Sequence, residues 1–372
     1  MKKYFVMAAL AVSTLTASAQ SVVPKWINNV KLSGFGIVQY TYNGQENNES
    51  NSFNLRLARL ALDGRAFDDW YWKAQIQFNG NTSTLGSSPK LVDLFIEWQK
   101  YDFLRVKAGQ FKNPFTYENP MHPIDQGFMS YSQVISKFAG FSDRAGAHSS
   151  NGRDIGVQLQ GDFLKNASGR NLIHYQVGVF NGQGINVKDV DQQKNIIGGA
   201  WVMPVEGMRL GAFGWIGSYA RKGTSASEGI TNTTPRRLQQ RRYAFSAEYK
   251  VDDWTFRSEY VHSTGYAFAK AMVNTNDASA KDITLSSNGD KSQGVYALII
   301  APIIKKKCHA KARYDMYQPS KGAEKQRTQY EIGLDYYFNK NICLTGEYAY
   351  IHDRALADPN YSMIDVELSY RF

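Results

Sequence analysis

From about residue 30 onward the chain alternates apolar and polar residues in short runs, each ended by a polar interruption. Trp70, Trp72, Ala74, Ile76 and Phe78 fall on one face of an extended segment, with Tyr71, Lys73, Gln75 and Gln77 on the other. Val92, Leu94, Ile96 and Trp98 likewise oppose Asp93, Phe95 and Glu97, and Ile155, Val157 and Leu159 oppose Asp154, Gly156 and Gln158. The pattern returns with Tyr243, Phe245, Ala247 and Tyr249 against Arg242, Ala244, Ser246 and Glu248. It returns again with Tyr330, Ile332, Leu334, Tyr336 and Phe338 against Glu331, Gly333, Asp335 and Tyr337. A period of two predicts strands with one apolar and one polar face. The phase breaks near Ala58 and Arg59, which predicts a bulge or a register ambiguity there.

About sixteen such segments are predicted, near 30–43, 52–64, 69–79, 91–99, 103–112, 153–161, 171–181, 193–204, 207–219, 240–250, 254–266, 291–302, 307–318, 326–338, 341–352 and 361–372. The links between them also alternate. Those of odd order are long and polar, such as 43–51, 79–90, 113–152, 221–239 and 266–290; those of even order are mostly tight. A strand with one apolar face and one wet face, and loops long at one end only, fit a closed membrane barrel. In lipid, only helices and closed barrels satisfy every backbone polar group. No apolar run past the first twenty residues is long enough for a membrane helix. The predicted fold is therefore an all-β transmembrane antiparallel barrel. Outward aromatics near strand ends (Trp70, Trp98, Trp254, Tyr336, Tyr350 and Tyr370) are expected to form interfacial girdles, and the last strand runs in alternation to a terminal Phe372.

The N-terminus changes the picture of location. Lys2 and Lys3 precede an apolar stretch, Tyr4 to Leu15, and a small-residue site at Ala17-Ser18-Ala19. Residues 1–19 read as an export signal, with a mature chain from Gln20 to residue 372 forming the barrel. Losing two lysines lowers the formal charge from +10 by two, to +8. The mean hydropathy of −0.43, despite 23 Tyr, 20 Phe and 7 Trp, fits apolar residues spread over an outer face instead of a large soluble core. The expected destination is the outer membrane of a Gram-negative bacterium. Cys308 and Cys343 have opposite predicted facings and are expected to stay unpaired.

The segments RVKAGQFKNPFTYE (Arg105 to Glu118) and GRDIGVQLQG (Gly152 to Gly161) resemble the phosphate-selective porin O and P family. YQVGVFNGQGIN (Tyr175 to Asn186) and the RYD of Arg313 to Asp315 follow in family order. The resemblance implies a sixteen-stranded barrel, a homotrimer, and a third loop folded into the lumen to narrow the pore. Loop residues 113–152 suit such packing, since Phe115, Met121, Ile124, Phe128, Met129, Val134, Ile135, Phe138 and Phe141 give apolar anchors. Tyr131 to Phe138 could make a short helix.

Anions bind where Arg and Lys converge in a partly desolvated constriction. Strand parity sets Lys73, Arg105 and Lys107 on the lumen face, with Lys112 and Arg153 at the root of the third loop; Arg56 or Arg59 joins them, depending on the bulge. Arg257, Lys311 and Arg313 point inward from the later wall, and Lys137 and Arg144 lie in the loop. Lys107 and Lys112 fall inside the family-like segment, and the resemblance implies that lumenal cations of this kind attract phosphate. Local carboxylates compete for these cations: Glu259 near Arg257, Asp315 near Arg313, and Asp365 and Glu367 near Arg371. Glu331, Asp335, Glu347, Asp365 and Glu367 give the last strands an acidic lumen face opposite a basic one on strands 2 to 6. The function expected is a passive channel for small hydrophilic solutes with a preference for anions such as phosphate.

A general porin for sugars or peptides is the alternative, and its aromatic track would draw on Tyr71, Phe95, Phe180 and Tyr337, which are scattered in sequence. An outer-membrane hydrolase fares worse, because His122, His148, His174, His262, His309 and His352 are dispersed and no Gly-x-Ser-x-Gly elbow occurs. Asn186, Asp189, Asp191 and Asn195 have a calcium-loop composition without the spacing, so no metal site is assigned. Neither cofactor nor nucleic-acid motif is present, and the expected surroundings are solute and outer-membrane lipid.

Overall fold

The computed structural model describes residues 24, 26–79, 89–145, 150–223, 235–265 and 291–372, with three two-residue strand fragments between 267 and 286. The expected export signal, residues 1–19, lies outside the described residues. Sixteen strands of eight residues or more follow one another: β1 (Ile27–Asn43), β2 (Ser50–Ala66), β3 (Trp70–Gln77), β4 (Lys90–Tyr101), β5 (Leu104–Lys112), β6 (Arg153–Lys165), β7 (Asn171–Phe180) and β8 (Asn195–Val202). The second half comprises β9 (Met208–Gly223), β10 (Arg236–Val251), β11 (Trp254–Gly265), β12 (Lys291–Ile304), β13 (Cys308–Gln318), β14 (Arg327–Asn339), β15 (Ile342–Asp353) and β16 (Asn360–Arg371). Each pairs antiparallel with its sequence neighbours, and β1 pairs with β16 from Phe35↔Arg371 to Asn43↔Met363. The sheet is closed, so these long strands leave no open edge. Their ends depart from the predicted ones by four residues or fewer.

Alternation sorts the side chains between two solvents. Phe53, Leu55, Ile216, Ile332, Leu334 and Phe338 stand exposed on the outer face, an apolar belt that water would not tolerate and hydrocarbon does. Trp70, Trp254, Tyr336, Tyr350 and Tyr370 share that face near strand ends. Among the described residues no helix is long and apolar enough to cross a membrane. Cys308 and Cys343 are both free thiols.

Two register details differ from simple parity. The β1–β2 ladder skips Arg56, between Ile37↔Leu57 and Val38↔Leu55, so the bulge lies two residues before Ala58. Its extra residue turns Arg56 inward as well as Arg59; the choice between them does not arise. In β4 a shift between Gln75 and Ile76 leaves Val92 out of the ladder, and Val92 is buried instead of joining Leu94 and Ile96 on the outer face.

The largest apolar cluster lies inside the barrel. Phe115, Tyr117, Phe128, Val134, Ile135 and Phe138 of the third loop pack on Phe180, Ile197, Phe213, Trp215 and Tyr296 of the wall. A short helix, α1 (Gln133–Phe138), starts at Ser132, whose Oγ accepts from the Ile135 N–H.

Candidate functional site

The third loop crosses the lumen because the wall grips its backbone. Glu259 of β11 accepts from the N–H groups of Tyr117 and Glu118 at 2.7 and 2.9 Å. Asp315 of β13 accepts from Gln133 N–H at 2.7 Å, and Glu347 of β15 from Met129 N–H at 2.9 Å. Wall cations donate to loop carbonyls in turn: Arg257 to Gln126 at 2.8 Å, Lys311 to Gly127 at 2.8 Å, Arg313 to Ser130 at 3.0 Å and Arg242 to Phe138 at 2.5 Å. An irregular segment in a low-dielectric interior must satisfy its peptide groups somewhere, and these side chains replace the partners that a sheet would supply. A buried bidentate pair, Arg242 with Asp143 at 2.8 Å, closes the far end of the loop.

This anchorage divides the ten sequence-predicted cations. Arg257, Lys311 and Arg313 are buried, tied to loop carbonyls, and paired with Glu248 at 2.7 Å, Asp335 and Glu347 at 2.8 and 2.6 Å, and Glu331 at 2.5 Å. Their role in this geometry is to hold the loop. The partners are not the same-strand carboxylates Glu259 and Asp315, because Glu248 and Glu331 stand directly opposite across the ladder. Arg371 similarly bonds Asp125 of the loop at 2.8 Å, not Asp365 or Glu367. Arg144 is buried and donates to Gln240, Ser263 and Gly265 O, while Lys137 lies over the Tyr317 ring. Arg105 pairs with Asp162, which also meets His174.

The remaining four, with Arg59, converge. Arg59, Lys73, Lys107, Lys112 and Arg153 line one cavity of about 240 Å³ between β2–β6 and the loop segment 120–123, and Asp93 is its one lining carboxylate. Arg153 and Asp93 make a bidentate pair at 2.7 and 3.0 Å. Lys107 stands 3.6 Å from Glu97 and over the rings of Phe95 and Phe111. Lys112 donates to Asn119 O, Met121 O and the Tyr131 hydroxyl, and among the described residues no carboxylate is in ion-pair reach of it. Arg59 donates to Gln77 at 2.8 Å. Among the described residues the Lys73 side chain makes no hydrogen bond and no ion pair, though its charge acts on Asp93. Five cations thus face Asp93, Glu97 and, opposite Lys73 across the ladder, Asp63, a chamber of net positive charge in a confined space. Gly109 lets β4 and β5 close behind it: its φ of +131° is one few side chains adopt, and a Cβ there would lie 2.2 Å from Leu94 O. Burial holds the nearby His122 imidazole down, to about 4, so it adds no charge at neutral pH.

A second cavity of about 580 Å³ lies on the other side of the loop and is mixed in charge, with Lys250, Lys306 and Lys311 against Asp125, Asp253, Asp335 and Glu367. The acidic face of β14–β16 is largely neutralised, since Glu331, Asp335, Glu347 and Glu367 each meet a cation. The field across the lumen therefore comes mainly from the basic chamber.

Residues 33–191, which carry the chamber and the whole third loop, match the phosphate-selective porin O and P family. Solved structures repeat the porin's fold at low identity. An anion-selective porin from Comamonas acidovorans is 14% identical, with TM-score 0.62 over 92% of this chain and 99% of that one. The outer membrane channel DcaP of Acinetobacter baumannii is also 14% identical, TM-score 0.62, over 92% and 97%. OmpF of Salmonella typhi, solved with daunomycin, is 12% identical, TM-score 0.61, over 94% and 99%. No curated protein sequence matches the porin.

Sequence reasoning did not find the loop anchors Asp143, Arg242 and Glu259, the pairing of Arg257 with Glu248, or that of Arg153 with Asp93. Parity identified Arg242, Glu248 and Asp93 as inward but could not name their partners. The one usable signal was an excess of inward charge over what a solvated wall needs.

Proposed function

We propose that this porin is a passive outer-membrane channel for small hydrophilic solutes that favours anions, works as a homotrimer, and catalyses no reaction. The observation that carries the anion preference is the chamber of Arg59, Lys73, Lys107, Lys112 and Arg153 around Asp93, in which neither Lys73 nor Lys112 makes an ion pair among the described residues. The family match over residues 33–191 supports phosphate as the first anion to try. The likeness to an anion-selective porin adds support through the shared fold. The outer-membrane barrel neighbours and the signal-like residues 1–19 support a location in the outer membrane of a Gram-negative bacterium.

The mixed-charge cavity beside the loop favours a second reading, a general porin with weak selectivity. Reversal potentials of purified protein in planar bilayers under a potassium chloride gradient separate the two. A clearly chloride-selective potential, with chloride current reduced by millimolar phosphate, supports the anion channel. A potential near zero and indifference to phosphate leave only the general porin. Absence of conductance from folded protein overturns the channel itself. Cross-linking in detergent tests the trimer.

A further inference from the structure

Of the four aromatic residues that look scattered in sequence, Tyr71, Phe95 and Phe180 are joined in the barrel through Phe111, whereas Tyr337 lies apart in the second cavity. Tyr71, Phe95, Phe111 and Phe180 come from β3, β4, β5 and β7, and their ring centroids are 6.0, 5.9 and 5.6 Å apart in order. Phe180 and Phe111 are buried beneath the third loop, while Tyr71 and Phe95 stay half-exposed to the lumen. Phe95 and Phe111 line the same chamber as the five cations. Across from them the loop presents Pro120, Met121 and Pro123, with the His122 imidazole among them.

This composition does not suit an inorganic oxyanion alone. A small, hydrated anion needs charge and hydrogen-bond donors, which the five cations supply, and it leaves the rings of Phe95 and Phe111 and the Pro120–Pro123 segment unused. Apolar surface in a pore lowers the free energy only of a solute that can cover it. A neutral sugar would use the rings but gain little from five cations.

We propose that the chamber prefers organic anions carrying a compact ring beside a carboxylate or phosphate over small inorganic or aliphatic anions of equal charge. The proposal rests on the anion reading above and names its substrate class. The anionic head lies among Lys73, Lys107, Lys112 and Arg59, and the ring lies between Phe95 and the Pro120–Pro123 wall. The cavity of about 240 Å³ admits a single ring with its head group.

Benzoate and acetate provide the test, because they share a carboxylate and differ in the ring. Chloride current through single channels is titrated with each at neutral pH, alongside the reversal potential. Benzoate is expected to halve the current at about a tenfold lower concentration than acetate, the worth of one ring face removed from water. Phe95→Ala is expected to abolish that difference, and Phe95→Leu, which retains apolar area, to keep most of it. Unchanged heat-modifiable electrophoretic mobility shows that each variant is folded, and the Leu variant carries the test if the Ala variant is not. Equal block by benzoate and acetate in an anion-selective channel overturns the proposal and leaves the anion reading standing. A preference for benzoate that survives Phe95→Ala overturns the placement of the ring. A reversal potential without anion preference overturns the reading on which both depend.

Discussion

Lys73→Glu is the cleanest perturbation of the chamber, because Lys73 supports nothing else: it has no bond to the loop and no ion pair among the described residues. Lys112→Glu would also tear three bonds from the third loop, so its effect would mix charge with structure. At roughly 6 Å from a passing ion, one charge in bulk water is worth about 0.7 kcal/mol, and reversal doubles this to about 1.4 kcal/mol. Salt near 0.1 M screens the figure to about half. A monovalent anion thus loses about 0.7 kcal/mol and a cation gains as much, so the permeability ratio moves by about 1.4 kcal/mol, or about tenfold. The assay is the reversal potential in a potassium chloride gradient, with Lys305→Glu as control, since Lys305 is exposed in the β12–β13 turn and paired with Asp252. The potential should shift toward the cation side for Lys73→Glu and not for the control. Equal shifts in both, or none in either, would refute the idea that this chamber sets selectivity.

Other expectations follow from the anchors, the outer face and the loop. Asp143→Asn leaves Arg242 buried without its counter-charge and should cost about 3–5 kcal/mol. It should appear as a lower urea midpoint and larger, noisier single-channel currents as the loop loosens; quiet wild-type currents would count against the anchoring role. Ile332→Arg puts a charge on the lipid face of β14 and should cost about 2–4 kcal/mol if near mid-membrane, read as loss of folding in vesicles. Since burial holds His122 near 4, His122 should contribute nothing to the pH dependence of selectivity between pH 7.5 and 5, and His122→Gln should leave that profile unchanged. A rise in anion preference centred near pH 6.5, absent in His122→Gln, would show an ordinary, solvated imidazole. Gly109→Ala forces a Cβ against Leu94 O and should lower the yield of folded barrel in a refolding assay.

How much the chain alone disclosed depends on which interactions are local. Side-chain direction alternates along any strand, and lipid and water reward opposite residue types. Lys73, Asp93, Lys107, Glu331 and Asp335 were therefore placed on the lumen face by counting, and Ile332 and Tyr370 on the outer one. The loop asymmetry and strand number follow from the same periodicity. Partners are a different matter. Along one strand, same-face residues stand about 6.7 Å apart, whereas residues opposed across a ladder approach to about 5 Å. Register therefore decides that Arg313 takes Glu331 over Asp315, and Arg257 takes Glu248 over Glu259. A single bulged residue, Arg56, turned a choice between two arginines into a pair. The folded loop drew Arg257, Lys311 and Arg313 into its own support, leaving the chamber to Arg59, Lys73, Lys107, Lys112 and Arg153. Sequence periodicity determined which residues face the pore. Only closure of the barrel around its third loop decided which of those charges remain to meet a solute, because a buried peptide group or carboxylate binds the nearest cation, and nearness is a property of the tertiary structure.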